Sequence, residues 1–192
     1  KMITEANSKV TIGTVIGFHQ GIASIEEKLE EANIAIQNGV DDLDYVCNYT
    51  AFKNGEIDLV KNEILLGTKL GLDHHKIVKW IIEVAALHET QILQLSALIK
   101  NVAMANFKED NYQNVFVKSS TGFYKTENNL PNGATKESII LMLENASPLP
   151  IKAAGGVRNY EDVAEMIRLG VKRIGTSSAK TITNGNVSTN NY

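Results

Sequence analysis

Short runs of β-branched and other apolar residues alternate along the chain with longer stretches whose apolar positions recur every three or four residues. Val10 to Phe18 predicts a strand. Ser24 then opens a helix, with Glu27 three residues on completing a capping box, Ile25, Leu29, Ala32 and Ile36 as its apolar stripe, and Gly39 as its stop. "DLDYVCNY" predicts a second strand, followed by a helix from about Glu56 to Leu70 that Gly71 ends. "KIVKWIIEV" predicts a third, and the helix after it starts near Thr90 with Ile92, Leu95, Leu98, Ile99 and Val102 on one side. "NVFVKSS" predicts a fourth, with a helix capped by Thr135 behind it. "PIKAAGG" predicts a fifth, followed by a helix that Asn159 caps and Gly170 ends, and "VKRIGTSS" predicts a sixth.

Strand and helix alternating throughout implies parallel strands joined by crossover helices, an α/β fold. An open doubly wound sheet usually carries its glycine fingerprint after the first strand. Here the glycine loops come late, as in a (β/α)8 barrel of the TIM type, which holds phosphate after its last two strands. Six units are visible, so about the first two βα units of such a barrel are expected to be absent. One barrel domain over residues 1–192 is expected, with 179–192 as a C-terminal tail, because "AKTITNGNVSTNNY" is a poor helix former.

Composition narrows the function. A formal net charge of -3 argues against a nucleic-acid or anionic membrane surface as partner. No apolar run approaches a membrane span, and "KMITEANSKV" lacks the apolar region of a secretory signal. One cysteine cannot form an internal disulfide, so a cytoplasmic protein is expected.

The candidate chemistry lies at strand ends. Phe116 and Lys118 share one face of their strand, and Lys152 occupies the equivalent place one strand later. A lone lysine at a strand end is explained by snorkelling to solvent. Two on neighbouring strands, about 5 Å apart, each disfavour the other's charge, which leaves one amine free to attack a carbonyl. Asp44 lies mid-strand on the face shared by Val46 and Asn48, where a carboxylate needs a partner, and Asp42 points the same way. Lys79 and Glu83 share a face and are candidates to extend this network. Gly155 and Gly156 before Arg158, and Gly175, Ser177 and Ser178 in "GTSS", suit an anion held ahead of helix N-termini, with Thr121 and Gly122 as a third wall. Cys47, on the opposite face from Asp44, is expected to pack under a helix. His74 and His75 read as a solvated turn with no metal-site partner, Trp80 as core, and residues 26–31 as a wet helix face.

"FVKSSTGF", "IKAAGGVR" and "RIGTSS", with "DDLDYVCNY" and "GEIDLVKNEI", resemble the deoxyribose-phosphate aldolases, in the family's order from about Thr11 to Ser178. The resemblance implies a lyase of deoxyribonucleotide catabolism that cleaves 2-deoxy-D-ribose 5-phosphate to D-glyceraldehyde 3-phosphate and acetaldehyde, with no cofactor and no metal. It implies Lys118 as the Schiff-base lysine, Lys152 as the second lysine that depresses its pKa, Asp44 as proton-relay acid, and Tyr192 as a tail residue that assists proton transfer. Phosphate would lie against Gly155, Gly156, Arg158, Gly175, Ser177 and Ser178. The partner implied is a small-molecule sugar phosphate, with a homodimer or larger homo-oligomer left open. The chain departs from the family at His19, usually proline, at Phe123, lysine in some members, and at "EVAAL", which lacks the usual polar Thr–Gly–Glu type of sequence. Two other readings stay open: a phosphate-binding barrel isomerase using carboxylate proton abstraction, and a catalytically inactive sugar-phosphate-binding remnant.

Overall fold

The computed structural model describes residues 8–127 and 130–184 of the chain. Its strands are β1 (Gly13–Ile16), β2 (Asp42–Val46), β3 (Ile77–Ile81), β4 (Val115–Lys118), β5 (Ile151–Ala154) and β6 (Arg173–Gly175). They pair in chain order, every neighbour parallel. The helices are α1 (Ile25–Gln37), α2 (Tyr49–Lys53), α3 (Ile57–Asp73), α4 (Glu89–Asn106), α5 (Lys136–Ala146), α6 (Tyr160–Leu169) and α7 (Ala179–Thr183). Among the described residues no helix is long and apolar enough to cross a membrane.

Local signals act where the sequence places them. Ser24, Thr135 and Asn159 each accept from the backbone N–H three residues on, and Gly170 ends α6 with φ 108°. Gly71 does not end its helix. It lies inside α3, where a Cβ would come within 2.2 Å of Val78 Cγ2, so its role is close approach of helix to sheet. The first strand is shorter than the run Val10 to Phe18. Asp41 takes the Ile12 N–H on its side chain before the ladder begins, and Gly17 turns the chain with φ 68° at the other end.

Alternation divides the sheet. Leu43, Tyr45, Val78, Trp80, Val115, Val117, Ile151 and Ala153 point outward and join Ala32, Ile64, Leu95, Ile99, Ile139 and Met166 of the helices in one core. Trp80 stacks on Tyr45 with centroids 4.8 Å apart and donates from Nε1 to Thr68 Oγ1 at 2.9 Å. The other face carries Asp42, Asp44, Lys79, Phe116, Lys118, Lys152 and Arg173. Arg173 on β6 hydrogen-bonds Asp42 on β2. Four strand spacings separate these strands, about 19 Å in a flat sheet, farther than the two side chains reach. The sheet is therefore curled, its polar face concave, as the six strands of a partial (β/α)8 barrel.

One helix residue corrects the reading of residues 26–31 as solvated. Lys28 is fully buried in α1. Its Nζ donates to Gly21 O at 2.7 Å and Val46 O at 2.8 Å and pairs with Glu63 of α3, whose other oxygen accepts from Asn48 N at 2.9 Å. Lys28 lies three residues after Ile25 and four before Ala32, on the apolar stripe itself. Removing one member leaves a buried charge unpaired, so Glu63→Ala is expected to cost about 3–5 kcal/mol. A denaturant midpoint measures this, and Lys28→Met combined with Glu63→Leu should recover much of the loss.

Candidate active site

The concave face gathers its charges because the inward positions of four strands fall in register. Asp44 pairs with Lys79 across β2 and β3, and Lys118 with Lys152 across β4 and β5. Asp44 is 4 % exposed, and its two oxygens accept three lysines: Oδ1 from Lys79 Nζ at 2.8 Å, Oδ2 from Lys118 Nζ and Lys152 Nζ, each at 2.8 Å. Asp42 accepts from Lys79 Nζ at 2.7 Å and from Arg173. The Arg173 guanidinium also lies 5.0 Å from the centroid of the Phe116 ring. Four basic side chains thus share two carboxylates on this face, an excess that suits an anionic ligand.

The electrostatics follow from that arrangement. Burial alone would raise the Asp44 carboxyl, but Lys118, Lys152 and Lys79 together hold it well below the usual carboxylate range. Burial lowers the Lys118 amine below the ordinary lysine value. Asp44 opposes that shift, and Lys152, then Lys79, add to it. Mutual repulsion of the two lysines is therefore the lesser cause. Withdrawal from water comes first, and the shared carboxylate works against both.

Above the lysines opens a cavity of about 210 Å³. Thr121, Gly122, Gly155, Gly156, Arg158, Gly175, Ser177 and Ser178 all line it with Lys118 and Lys152, so the structure brings every phosphate-site candidate to one place. A Cβ at Gly133 would lie 2.5 Å from Gly155 Cα, so these two glycines permit the close loop crossing, while Gly155 and Gly156 both supply the turn with φ 80°. One detail differs from expectation. The Arg158 and Asn159 N–H groups ahead of α6 donate to Asp162, at 2.9 and 3.4 Å, so this helix start is capped from within and Arg158 offers its side chain instead. Tyr192 lies outside the described residues.

Sequence reasoning missed three contributors. Asn132, from a polar loop without periodicity, lines the cavity and donates to Gly122 O at 3.1 Å. Thr176 also lines it, and its hydroxyl ties β6 to the neighbouring loop by donating to Val157 O at 2.8 Å. Arg173 was legible only as part of "RIGTSS". Lys79 joins the network as its strand face predicts, whereas Glu83 stands beyond the end of β3. Cys47 is buried in the outer core and burial pushes its thiol up. Among the described residues no group of three or more His, Cys, Asp or Glu is placed to hold a metal ion.

Gly175 makes a direct test of the packing around Lys152. A Cβ there would stand 2.9 Å from Ala154 Cβ and 3.3 Å from Lys152 Cε. Gly175→Ala is expected to displace the Lys152 amine from Asp44 and lower kcat by about 10²-fold, the scale for a misplacement near 1 Å, with KM changing less. Steady-state kinetics check this.

A buried amine that withdrawal from water pushes below the ordinary lysine value, at the open ends of parallel strands beside a second lysine, a shared carboxylate and an anion-sized cavity, defines an aldolase of the Schiff-base class on a (β/α) barrel. Similarity to known proteins agrees. No protein-family model matches the chain. It is 38% identical over 184 residues to deoxyribose-phosphate aldolase of Thermococcus kodakarensis, covering 95% of this chain and 75% of that protein. The solved aldolase QR15 matches 95% of this chain and 75% of its own length at 30% identity, with a TM-score of 0.80. The tetrameric deoxyribose phosphate aldolase from Aeropyrum pernix matches 95% of this chain and 70% of its own, at 26% identity and a TM-score of 0.75. The chain belongs to the deoxyribose-phosphate aldolase family.

Proposed function

We propose that this chain cleaves 2-deoxy-D-ribose 5-phosphate reversibly, with Lys118 as the covalent residue. The observation that carries the reading is the pair of lysine nitrogens on one Asp44 oxygen beneath the cavity. The Lys118 amine adds to C1 of the open-chain aldehyde and water leaves, giving an iminium. Asp44 and Lys152 together take the proton of the C3 hydroxyl. The C2–C3 bond breaks, its electron pair moves into the iminium, and glyceraldehyde 3-phosphate departs. The enamine is protonated at C2 and hydrolysed, releasing acetaldehyde and restoring the amine. Tyr192 is proposed as the donor at C2, on the family resemblance. The phosphate lies against the Gly155–Gly156 loop, Arg158 and the Gly175–Ser178 loop, with Thr121 and Gly122 opposite.

Lys118 and Lys152 line the cavity and Asp44 does not, so the ligand meets amines first, which speaks against an isomerase in which Asp44 abstracts a proton directly. A homo-oligomer is proposed from likeness to the tetrameric Aeropyrum pernix protein, and a cytoplasmic location from the single cysteine. Incubation with 2-deoxy-D-ribose 5-phosphate is expected to yield glyceraldehyde 3-phosphate and acetaldehyde in equal amounts. An isomeric sugar phosphate as the product would overturn the reading.

A further inference from the structure

Glu83 is a buried acid that the proposed mechanism does not use. It is 1 % exposed, follows the end of β3 and takes the left-handed conformation at φ 56°. Its carboxylate meets the loop that leaves Lys118. Ser120 Oγ donates to Oε1 at 2.6 Å, Thr121 N lies 3.3 and 3.2 Å from the two oxygens, and Thr121 Oγ1 donates to Oε2. The loop is fastened on its other side as well, where Ser119 Oγ donates to Ala154 O at 2.8 Å and accepts from Ala154 N at 2.9 Å. Two further bonds pass the constraint along: Gly122 N donates to Ser120 Oγ at 2.8 Å and Phe123 N to Thr121 Oγ1 at 3.0 Å. Thr121, Gly122 and Phe123 then form one wall of the cavity.

We propose that Glu83 is a positioning residue that sets this wall for the phosphorylated end of the substrate, acting through Ser120 and Thr121 and touching no reacting atom. The inference rests on Lys118 as the imine-forming amine. The carboxylate offers two acceptor oxygens to three loop donors, whereas a glutamine offers one. Glu83→Gln therefore preserves shape but releases part of the loop. With its oxygen left towards Ser120 the glutamine still accepts from Thr121 N, but the Thr121 hydroxyl faces an N–H2 group and loses its hold, and the wall that faces the anion loosens while the strand that carries Lys118 does not.

Two readouts separate this role from general damage. KM for 2-deoxy-D-ribose 5-phosphate senses the wall. Borohydride trapping of acetaldehyde on Lys118, compared on the high-pH plateau where the lost Glu83 charge no longer changes the fraction of free amine, does not, because a two-carbon aldehyde ends short of it. Glu83→Gln is expected to raise KM about tenfold, the scale of a hydrogen bond to a charged group, and to leave the trapping rate within about twofold. Thr121→Val removes the same hydroxyl contact from a partly exposed position, which guards against a Glu83 variant that fails to fold. Because the two residues act through one contact, the double variant should show the KM of Glu83→Gln alone, within the error of a mutant cycle. An unchanged KM, a trapping rate that falls in step with KM, or independent multiplication in the double variant would each overturn the proposal. Absence of any adduct on Lys118 in the unmodified protein removes the aldolase reading itself, and this inference with it.

Discussion

Lys118→Leu is expected to abolish turnover, lowering kcat by about 10⁴-fold or more, because the covalent route is lost rather than weakened. The fold should tolerate the change. Lys118 is nearly buried at the end of β4, and leucine removes an amine that burial already discourages from carrying charge while Lys152 and Lys79 stay on Asp44. The same shift fixes the pH dependence. Attack needs the free amine, so the rate of imine formation should rise with pH through a value below that of ordinary lysine. Lys152→Met removes a neighbouring cation, which raises the Lys118 pKa and moves that limb to higher pH. Trapping rates across pH, in both proteins, measure the displacement. A shift to lower pH would be inconsistent with the geometry.

Asp44→Asn is expected to fail in two ways at once. It removes the acceptor that Lys118, Lys152 and Lys79 share, leaving two buried amines and the half-buried Lys152 with one counter-charge, Asp42, in reach of Lys79 alone. Breaking a buried charge cluster in this way costs about 3–5 kcal/mol, read from a denaturant midpoint. Activity should fall by about 10²–10⁴-fold, the range for a lost proton-transfer group. The pH signature in the unmodified protein has a definite sign. Because the folded-state pKa of Asp44 is depressed, its contribution to stability is complete above the unfolded carboxylate value. That contribution is lost as pH falls from about 4 towards the folded value. In the variant this acid limb should flatten.

Much of this was legible locally. The caps at Ser24, Thr135 and Asn159 act through neighbours three residues away, and the strand order follows from the alternation together with the late glycine loops that favour a barrel over a doubly wound sheet. Lys118, Lys152 and Asp44 were legible because charge at inward strand positions contradicts the apolar pattern around them. What depended on distance in sequence was not. Lys28 reads as one more charge in a polar run, and only the contact with Glu63 thirty-five positions on makes its burial tolerable. Arg173 reaches Asp42 only because the sheet curls, which no single strand announces. Glu83 lies close enough to Lys118 to act on it electrostatically, as its shared face with Lys79 suggested, but its hydrogen bonds to Ser120 and Thr121 come from a loop that the two-residue period does not describe. The balance of forces on Lys118 likewise needed the depth of burial, which spacing does not give.

Borohydride reduction in the presence of 2-deoxy-D-ribose 5-phosphate, followed by peptide mass mapping, is expected to leave one reduced adduct, carried on Lys118. An adduct on Lys152 or Lys79 instead, or turnover that leaves no lysine modified, would contradict Lys118 as the covalent residue.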